Sequence, residues 1–493
     1  MSSSTQNPAY ESTEVGRIDS SLRSTGLVFG ISGALWLVFA GITGLLAYLQ
    51  IVVPTLFEWI PFLTFGRLKV VAVNALTHGW ATNVGFLLII WIMSRLSERA
   101  PDFDIRRYLL APAGIVYNIL VTYGILAIFW GEATPYFLLE IPSKILGACA
   151  LSYILITIWT ILDYFRRKRQ TPYVSQYFIL GAVFWLAWIF SISQLILGNA
   201  NITGVIQAVA ASWLAHAYIW LWLVPIGCAV AYYLLPKVLG LPVRNYYLAF
   251  FSFWCLAFIG PWGGPAELVG SPVPIWIQKL GVVSGLLLSI PVISISLNLW
   301  QTCFHPTARA KLDSLWKSPT GRFILTGVVV FPFFGLLAAF DALPFHKQDM
   351  QFTYWQEGIF YLGIYGFYSM IAAGGIYFVL PRLFGREWKS SSLIHTHFIY
   401  SVVGFLLVAI GFFWGGLAQA EAYANLEKSY VDISFITWMP ILMAVVGFFS
   451  LVIGQIAFLI NVMRISCACP LESPSAAEGP TLLTQELEER SNA

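Results

Sequence analysis

The residues of this chain with side chains suited to chemistry are few, and most of them lie inside or beside long apolar stretches. There are six histidines, and two of them, His78 in Leu-Thr-His-Gly-Trp and His216 in Trp-Leu-Ala-His-Ala-Tyr, interrupt such stretches. A neutral imidazole in that setting suits haem iron or copper. The plainer reading of a lone histidine there is an interior side chain hydrogen-bonded to a neighbouring helix. His395 and His397 are two residues apart, about 200° around a helix, so they face opposite ways and do not form one metal site; they read as interfacial histidines. His305 and His346 lie in loops and receive no role. Three carboxylates, Glu267, Asp341 and Glu357, fall at one depth beside apolar stretches. Oxygen ligands suit hard cations and buried acids titrate near neutral pH, so this set is a candidate for cation binding or proton passage; solvated loop acids are the plainer alternative. Cys467 and Cys469 follow the last apolar stretch and read as inert small residues or palmitoylation sites. Glycine-rich phosphate loops, His-Glu-x-x-His and Cys-x-x-Cys are absent from the sequence, so nothing supports an ATPase or a zinc protease.

These residues must be positioned by elements that live in lipid. Charged residues make up 10% of the 493 and hydrophobic residues 58%, against roughly 25% charged in soluble domains. Soluble enzymes are thereby excluded. A net charge of +3 leaves no basic stripe, so nucleic acid is not a partner, and six scattered cysteines give no disulfide framework. A membrane helix needs about 20 apolar residues. Twelve stretches qualify, at 26–49, 71–94, 107–130, 142–165, 174–197, 204–235, 245–264, 273–300, 322–344, 356–381, 395–418 and 436–463. They lack the alternation of barrel strands, so the expected fold is an all-α polytopic membrane protein. Counted with span edges, the loops after spans 2, 4, 6, 8 and 10 carry 17 Lys and Arg and the others 6, which puts both termini in the cytoplasm. The expected domains are a polar cytoplasmic tail over 1–25 without a removable signal peptide, a membrane domain over 26–465 and a disordered tail over 466–493. The 20 Trp and 23 Tyr read as interfacial belts.

Several segments, in order, resemble the catalytic subunit I of cbb3-type cytochrome c oxidases, the C branch of the haem-copper oxidase superfamily. They are Phe65-Gly66-Arg67-Leu68 with Asn74-Ala75, Tyr232-Tyr233-Leu234-Leu235-Pro236-Lys237, Gly260-Pro261, Ile376 through Glu387, and Thr396-His397-Phe398. The resemblance implies a low-spin haem between histidines of spans 2 and 10. It also implies a second haem beside a copper held by one histidine of span 6 and a His-His pair of span 7. Carried over residue by residue, the span 2 ligand position falls on Ala72, the span 6 position on His216, the span 7 pair on Trp262-Gly263, and the span 10 His-x-His on Ile359-Phe360-Tyr361. His78 lies six residues past Ala72, about 240° around and 9 Å along the helix, so it is no simple stand-in. One of six metal-ligand histidines remains, His216, and Trp262 and Tyr361 are expected to fill haem space.

The resemblance therefore implies a divergent, haem-free oxidase-like subunit of a respiratory electron-transfer complex in a bacterial inner membrane. Its role would be structural or the passage of protons or ions through Glu267, Asp341 and Glu357, with no cofactor of its own. One alternative is an active terminal oxidase or nitric oxide reductase with haem b and copper on relocated ligands such as His78 and His216; another is a secondary transporter. Expected partners are the lipid bilayer and other membrane subunits. Separate c-type cytochromes are among these, because the chain has no Cys-x-x-Cys-His motif.

Overall fold

The structure is a computed structural model that describes residues 14–98, 105–168, 171–199, 201–309 and 311–467. The expected tail beyond residue 467, with Cys469, lies outside them, as do residues 1–13. Among the described residues, twelve helices are long and apolar enough to cross a membrane: α1 (Arg23–Val52), α2 (Phe65–Ser97), α3 (Leu109–Trp130), α4 (Ser143–Phe165), α5 (Val174–Leu197), α6 (Val205–Leu239), α7 (Tyr246–Leu268), α8 (Ile275–Phe304), α9 (Pro319–Asp341), α10 (Trp355–Phe384), α11 (Ser391–Tyr423) and α12 (Tyr430–Ser466). Each coincides with one of the stretches read from the sequence, and there is no strand among the described residues. A short helix, Glu14–Ser21, precedes α1, and its Asp19 is buried where it accepts a hydrogen bond from Trp91 Nε1 at 3.0 Å.

Three helices form the centre. The apolar windows of α2, α6 and α10 are 100%, 94% and 94% buried, whereas no other span exceeds 67%. A helix that is apolar all round belongs inside, and one with a single buried face turns the other to lipid. The outer helices accordingly expose Leu, Ile, Phe and Trp side chains such as Leu151, Phe184, Trp188 and Phe258.

All three central helices contain a π-helical segment: Ala75–Ala81, Tyr218–Leu223 and Leu362–Ser369. A π turn widens the ladder to i→i+5 and loosens carbonyls that lipid cannot satisfy. Side chains take up that role in α2. Thr77 O accepts from Thr82 Oγ1 at 3.1 Å and Tyr218 Oη at 2.9 Å, His78 O from Tyr117 Oη at 2.6 Å, and Ala81 O from Tyr368 Oη at 2.6 Å.

α6 and α10 end alike, in Leu235-Pro236-Lys237-Val238-Leu239-Gly240 and Leu380-Pro381-Arg382-Leu383-Phe384-Gly385. Gly240 and Gly385 both sit at φ 61°, each returning its N–H to the carbonyl of the motif's proline. That left-handed position is the reason for glycine there. The described chain ends lie at this same end of the bundle, since Arg23 Nε donates to Leu383 O at 2.6 Å and Arg386 Nη1 to Ile465 O at 2.8 Å. α8 breaks at Leu288, where Pro291 lacks an N–H and crowds the carbonyl four residues back.

Candidate functional site

α2 and α10 bring Ala72 and Tyr361 into the interior, 4% and 2% exposed. The space around them is packed with aromatic rings from α1, α10, α11 and α12. Tyr48 stacks on Phe448 (5.2 Å, 12°), Tyr361 on Phe412 (5.5 Å, 19°) and on Tyr365 (5.9 Å, 13°). Gly44 of α1 admits this packing, because a Cβ there would meet Phe448 at 3.2 Å and Ala72 at 3.7 Å. Beside the rings is a cavity of about 20 Å³ lined by Trp80, Tyr365, Ser369, His397, Ser401 and Gln455 among others. That is room for one water, whereas cofactor pockets run to about 300–1,000 Å³. A methyl group, a phenol and a filled gap do not fit a porphyrin with axial imidazoles.

The second constellation centres on His216. Its Nε2 lies 3.1 Å from Gly260 O, and a Cβ on Gly263 would come within 2.4 Å of its Cε1. The small residue at that point of α7 is thus what lets the imidazole approach. The ring continues a stack through Trp220 (6.2 Å), Phe334 (5.6 Å) and Phe367 (6.2 Å), which fills the space between α6, α9 and α10. Gly363 and Gly227 make room for it, since a Cβ on either would sit 2.5 Å from Phe334 or Phe367. Trp262, expected inside, is 55% exposed and turns away from the interior. The 3-10 turns that Pro261 and Pro265 impose at the end of α7 aim it outward. No group of three His, Cys, Asp or Glu able to hold a metal occurs among the described residues. One imidazole already engaged by a carbonyl does not fit a copper centre.

The remaining histidines are interior or interfacial. His78 Nε2 lies 2.9 Å from Leu138 O and its Nδ1 3.3 Å from Tyr153 Oη. His397 is buried with Nδ1 2.9 Å from Tyr377 Oη, while His395 is exposed and 3.5 Å from Arg322 Nη1, the opposite orientations required by their spacing.

The three carboxylates divide into two groups. Asp341 and Glu267 meet at Lys347, whose wholly buried Nζ is 2.8 Å from Asp341 Oδ2 and 2.7 Å from Glu267 Oε2. Gln356 Nε2 donates to Asp341 Oδ2 at 2.9 Å, and His346 Nδ1 lies 3.2 Å from Asp341 Oδ1. Burial works against the Lys347 charge, but Glu267 and Asp341 outweigh it and hold its pKa above the ordinary lysine value. Burial lowers the pKa of His346 despite Asp341. An ammonium therefore stands where a bound cation would. Glu357 points elsewhere, ion-paired with Lys69 and accepting from Tyr48 Oη at 2.9 Å.

Sequence reasoning passed over Lys347, His346, Lys69, Tyr48 and Glu140. Glu140, in the α3–α4 loop, is 7% exposed, accepts from Asn74 Nδ2 at 2.9 Å, and is pushed up by burial to about 7. The available signal was a lone acid within an otherwise apolar Phe-Leu-Leu-Glu-Ile-Pro run.

Fold and interior together define a twelve-helix integral membrane protein built around α2, α6 and α10. The family model described as Cytochrome C and Quinol oxidase polypeptide I matches residues 24–449, and the chain belongs to that family. The cytochrome c oxidase subunit 1 homolog of Azorhizobium caulinodans is 27% identical over 484 residues, covering 90% of this chain and 83% of its own. The cbb3-type cytochrome c oxidase subunit CcoN1 of Stutzerimonas stutzeri is 23% identical, covering 91% and 96%. A chain of a solved haem-copper terminal oxidase dimer superposes with a TM-score of 0.65 at 13% identity, over 97% of this chain and 90% of that one, a likeness of fold.

Proposed function

We propose that the chain is a haem-free relative of oxidase subunit I, kept as a structural subunit of a respiratory electron-transfer complex in a bacterial inner membrane with both termini in the cytoplasm. The observation that carries this reading is the coincidence of lost ligands with filled space. Ala72, Trp262, Gly263, Ile359 and Tyr361 stand where the resemblance calls for imidazoles, and Tyr48, Tyr361, Phe412 and Phe448, with Trp220, Phe334 and Phe367, pack the room between the central helices. Its partners on this reading are other membrane subunits, separate c-type cytochromes among them. The test is the visible spectrum of the purified chain with metal analysis. No Soret band and no copper are expected, and a stoichiometric b-haem spectrum overturns the reading. His216→Ala is expected to leave oxygen consumption of the host membranes unchanged; its loss would favour relocated ligands instead.

A second reading, proton passage, is favoured by a file of polar groups through the former haem region. Glu357 joins Tyr48, and Tyr48 Oη is 3.5 Å from Tyr361 Oη. Tyr361 stacks on Tyr365, which lines the water-sized cavity with His397, itself bonded to Tyr377. Glu267 and Asp341 lie apart from this file, paired with Lys347 at the end of α9. Proteoliposomes of the chain loaded with a pH dye test this: flux abolished by His397→Phe supports it, and flux equal to that of empty vesicles refutes it.

A further inference from the structure

We infer that the small cavity between α2, α10, α11 and α12 is a binding site for one water molecule, that the amide of Gln455 positions it, and that this water carries protons between Tyr365 and His397. The last step rests on the proton-passage reading; the site itself stands on packing alone.

Two polar pairs face each other across the cavity. Tyr365 and Ser369 are four residues apart on α10, and His397 and Ser401 four apart on α11, so each pair shares one face of its helix. The two faces meet around a space of about 20 Å³, and Trp80 of α2 and Gln455 of α12 complete its polar lining. The first pair lies in the π-helical segment of α10, and such segments recur at functional positions.

Gln455 is the group that packing alone does not account for. It interrupts the apolar run from Leu451 to Ile460, is 2% exposed, and its Oε1 has no hydrogen-bond partner among the described residues. A buried amide oxygen left bare is costly, the more so at membrane depth. α1 nevertheless makes room for it, because Gly41 lies so close that a Cβ there would collide with Oε1. The neighbours supply the other partners that a water needs. Ser369 Oγ accepts from Trp80 Nε1 at 2.8 Å, which leaves the serine proton to donate. His397 Nδ1 is taken by Tyr377 Oη at 2.9 Å, which leaves Nε2. Dry cavities are lined by apolar side chains, whereas a polar one with room for a probe sphere and several hydrogen-bonding partners holds a water. A metal ion is the poorer occupant, since no acid lines the space and neutral groups alone do not offset the cost of taking a charge out of water.

The proton step keeps its balance. The water oxygen takes the proton of the Tyr365 hydroxyl and gives one of its own to His397 Nε2, as Tyr365 gains a proton from its outer side and the imidazole releases its Nδ1 proton to Tyr377 Oη. One proton enters, one leaves, and no group keeps a charge.

Cryo-electron microscopy of the full chain in nanodiscs, at a resolution that shows ordered water, and thermal unfolding test the site; flux into proteoliposomes loaded with a pH dye tests its role. Gln455→Met removes the amide at nearly the same volume, and Ser401→Thr keeps the hydroxyl and puts a methyl group into the cavity. Wild-type density for one water, lost in both variants, is expected, with a lower Tm for Gln455→Met and most of the flux lost in each. A dry cavity gives the opposite sign, because exchanging an unpartnered buried amide for an apolar isostere raises Tm; a raised Tm with no wild-type density overturns the site. Density that both variants displace, with flux undiminished, overturns the proton role and keeps the water. Wild-type flux no greater than that of empty vesicles overturns the proton-passage reading, and density and Tm then decide the site on their own.

Discussion

Glu140→Gln should abolish most of the protein's pH-dependent loss of stability between acid and neutral pH. The carboxyl is 7% exposed, and burial raises its pKa from 4.5 to about 7, with Asn74 and Lys69 pulling only partly the other way. Asn74 Oδ1, on the amide that donates to Glu140, is buried without a partner, so the neutral acid is the form this pocket suits. An acid whose folded pKa lies above its unfolded one holds its proton more tightly when folded. Its contribution to stability is therefore greatest below the unfolded value and declines as pH rises to the folded one. Each unit is worth about 1.4 kcal/mol, so the decline between pH 4.5 and about 7 amounts to roughly 3 kcal/mol. Glutamine keeps the shape, accepts from Asn74 and cannot ionise. The variant should match the wild type near pH 4.5 and exceed it by that amount at pH 8. Thermal unfolding of the purified chain across this range, followed by intrinsic tryptophan fluorescence, measures it. Wild-type and variant profiles that run parallel would refute the reasoning, because they would mean that Glu140 is ionised in the folded state throughout.

Lys347→Met leaves Asp341 buried without its counter-ion and should cost about 3–5 kcal/mol; adding Asp341→Asn should restore part of the loss, as read by unfolding midpoints. Because Lys347 is held above the ordinary 10.5, its stabilisation persists through neutral pH and is lost only as pH climbs through that raised value, so an alkaline titration should show a transition absent from Lys347→Met. Phe448→Ala, in the ring packing beside Ala72, should cost about 3–5 kcal/mol by opening a cavity. Gly385→Ala forces a Cβ into φ 61° and should cost about 1–2 kcal/mol, visible as a lower midpoint with an unchanged circular dichroism spectrum.

The twelve spans were legible because lipid imposes a length and an apolarity that a sequence must display openly. The identity of the central three was legible only through the resemblance: α2, α6 and α10 have lower mean hydropathy, 1.4, 1.7 and 1.5, than all their neighbours but α7, the reverse of what burial by apolarity alone would suggest, and burial on all sides leaves no periodicity to read. At the site, which residues stand at the positions the resemblance singles out was legible, and how they pack was not. That Ala72 and Tyr361 are not histidines is plain from the residues. That Trp262 faces outward depends on two 3-10 turns at the end of α7, and no spacing rule conveys that. The carboxylates illustrate the same limit. Glu267, Asp341 and Glu357 share a depth, but Lys347 gathers only the first two, because the loop after α9 folds the lysine back beneath Asp341 while Glu357 leaves α10 on the face toward α1. The matched ends of α6 and α10 lay in view as a repeated Leu-Pro-cation-x-x-Gly, 145 residues apart, well beyond the period of solenoid repeats.

The glycines opposite the packed rings bear on how the interior is closed. A void costs about 24 cal/mol per Å³, so an unfilled space at the small end of cofactor size, about 300 Å³, would cost roughly 7 kcal/mol, comparable with the whole stability of many domains, about 5–15 kcal/mol. Two such unfilled spaces would double that cost. Here Gly44 faces Phe448, Gly363 faces Phe334, Gly227 faces Phe367 and Gly358 faces Phe413, each ring lying where a Cβ on its glycine would collide or be cramped. Glycine inside a helix costs about 1 kcal/mol relative to alanine, so each pair accepts a local penalty to seat a large ring. Pairs of this kind need both members at once, since the ring clashes without the glycine and the glycine leaves a gap without the ring. Their recurrence on α1, α6 and α10 is how the rings close the space between the helices, so Gly227→Ala or Gly363→Ala should lower the unfolding midpoint by displacing Phe367 or Phe334.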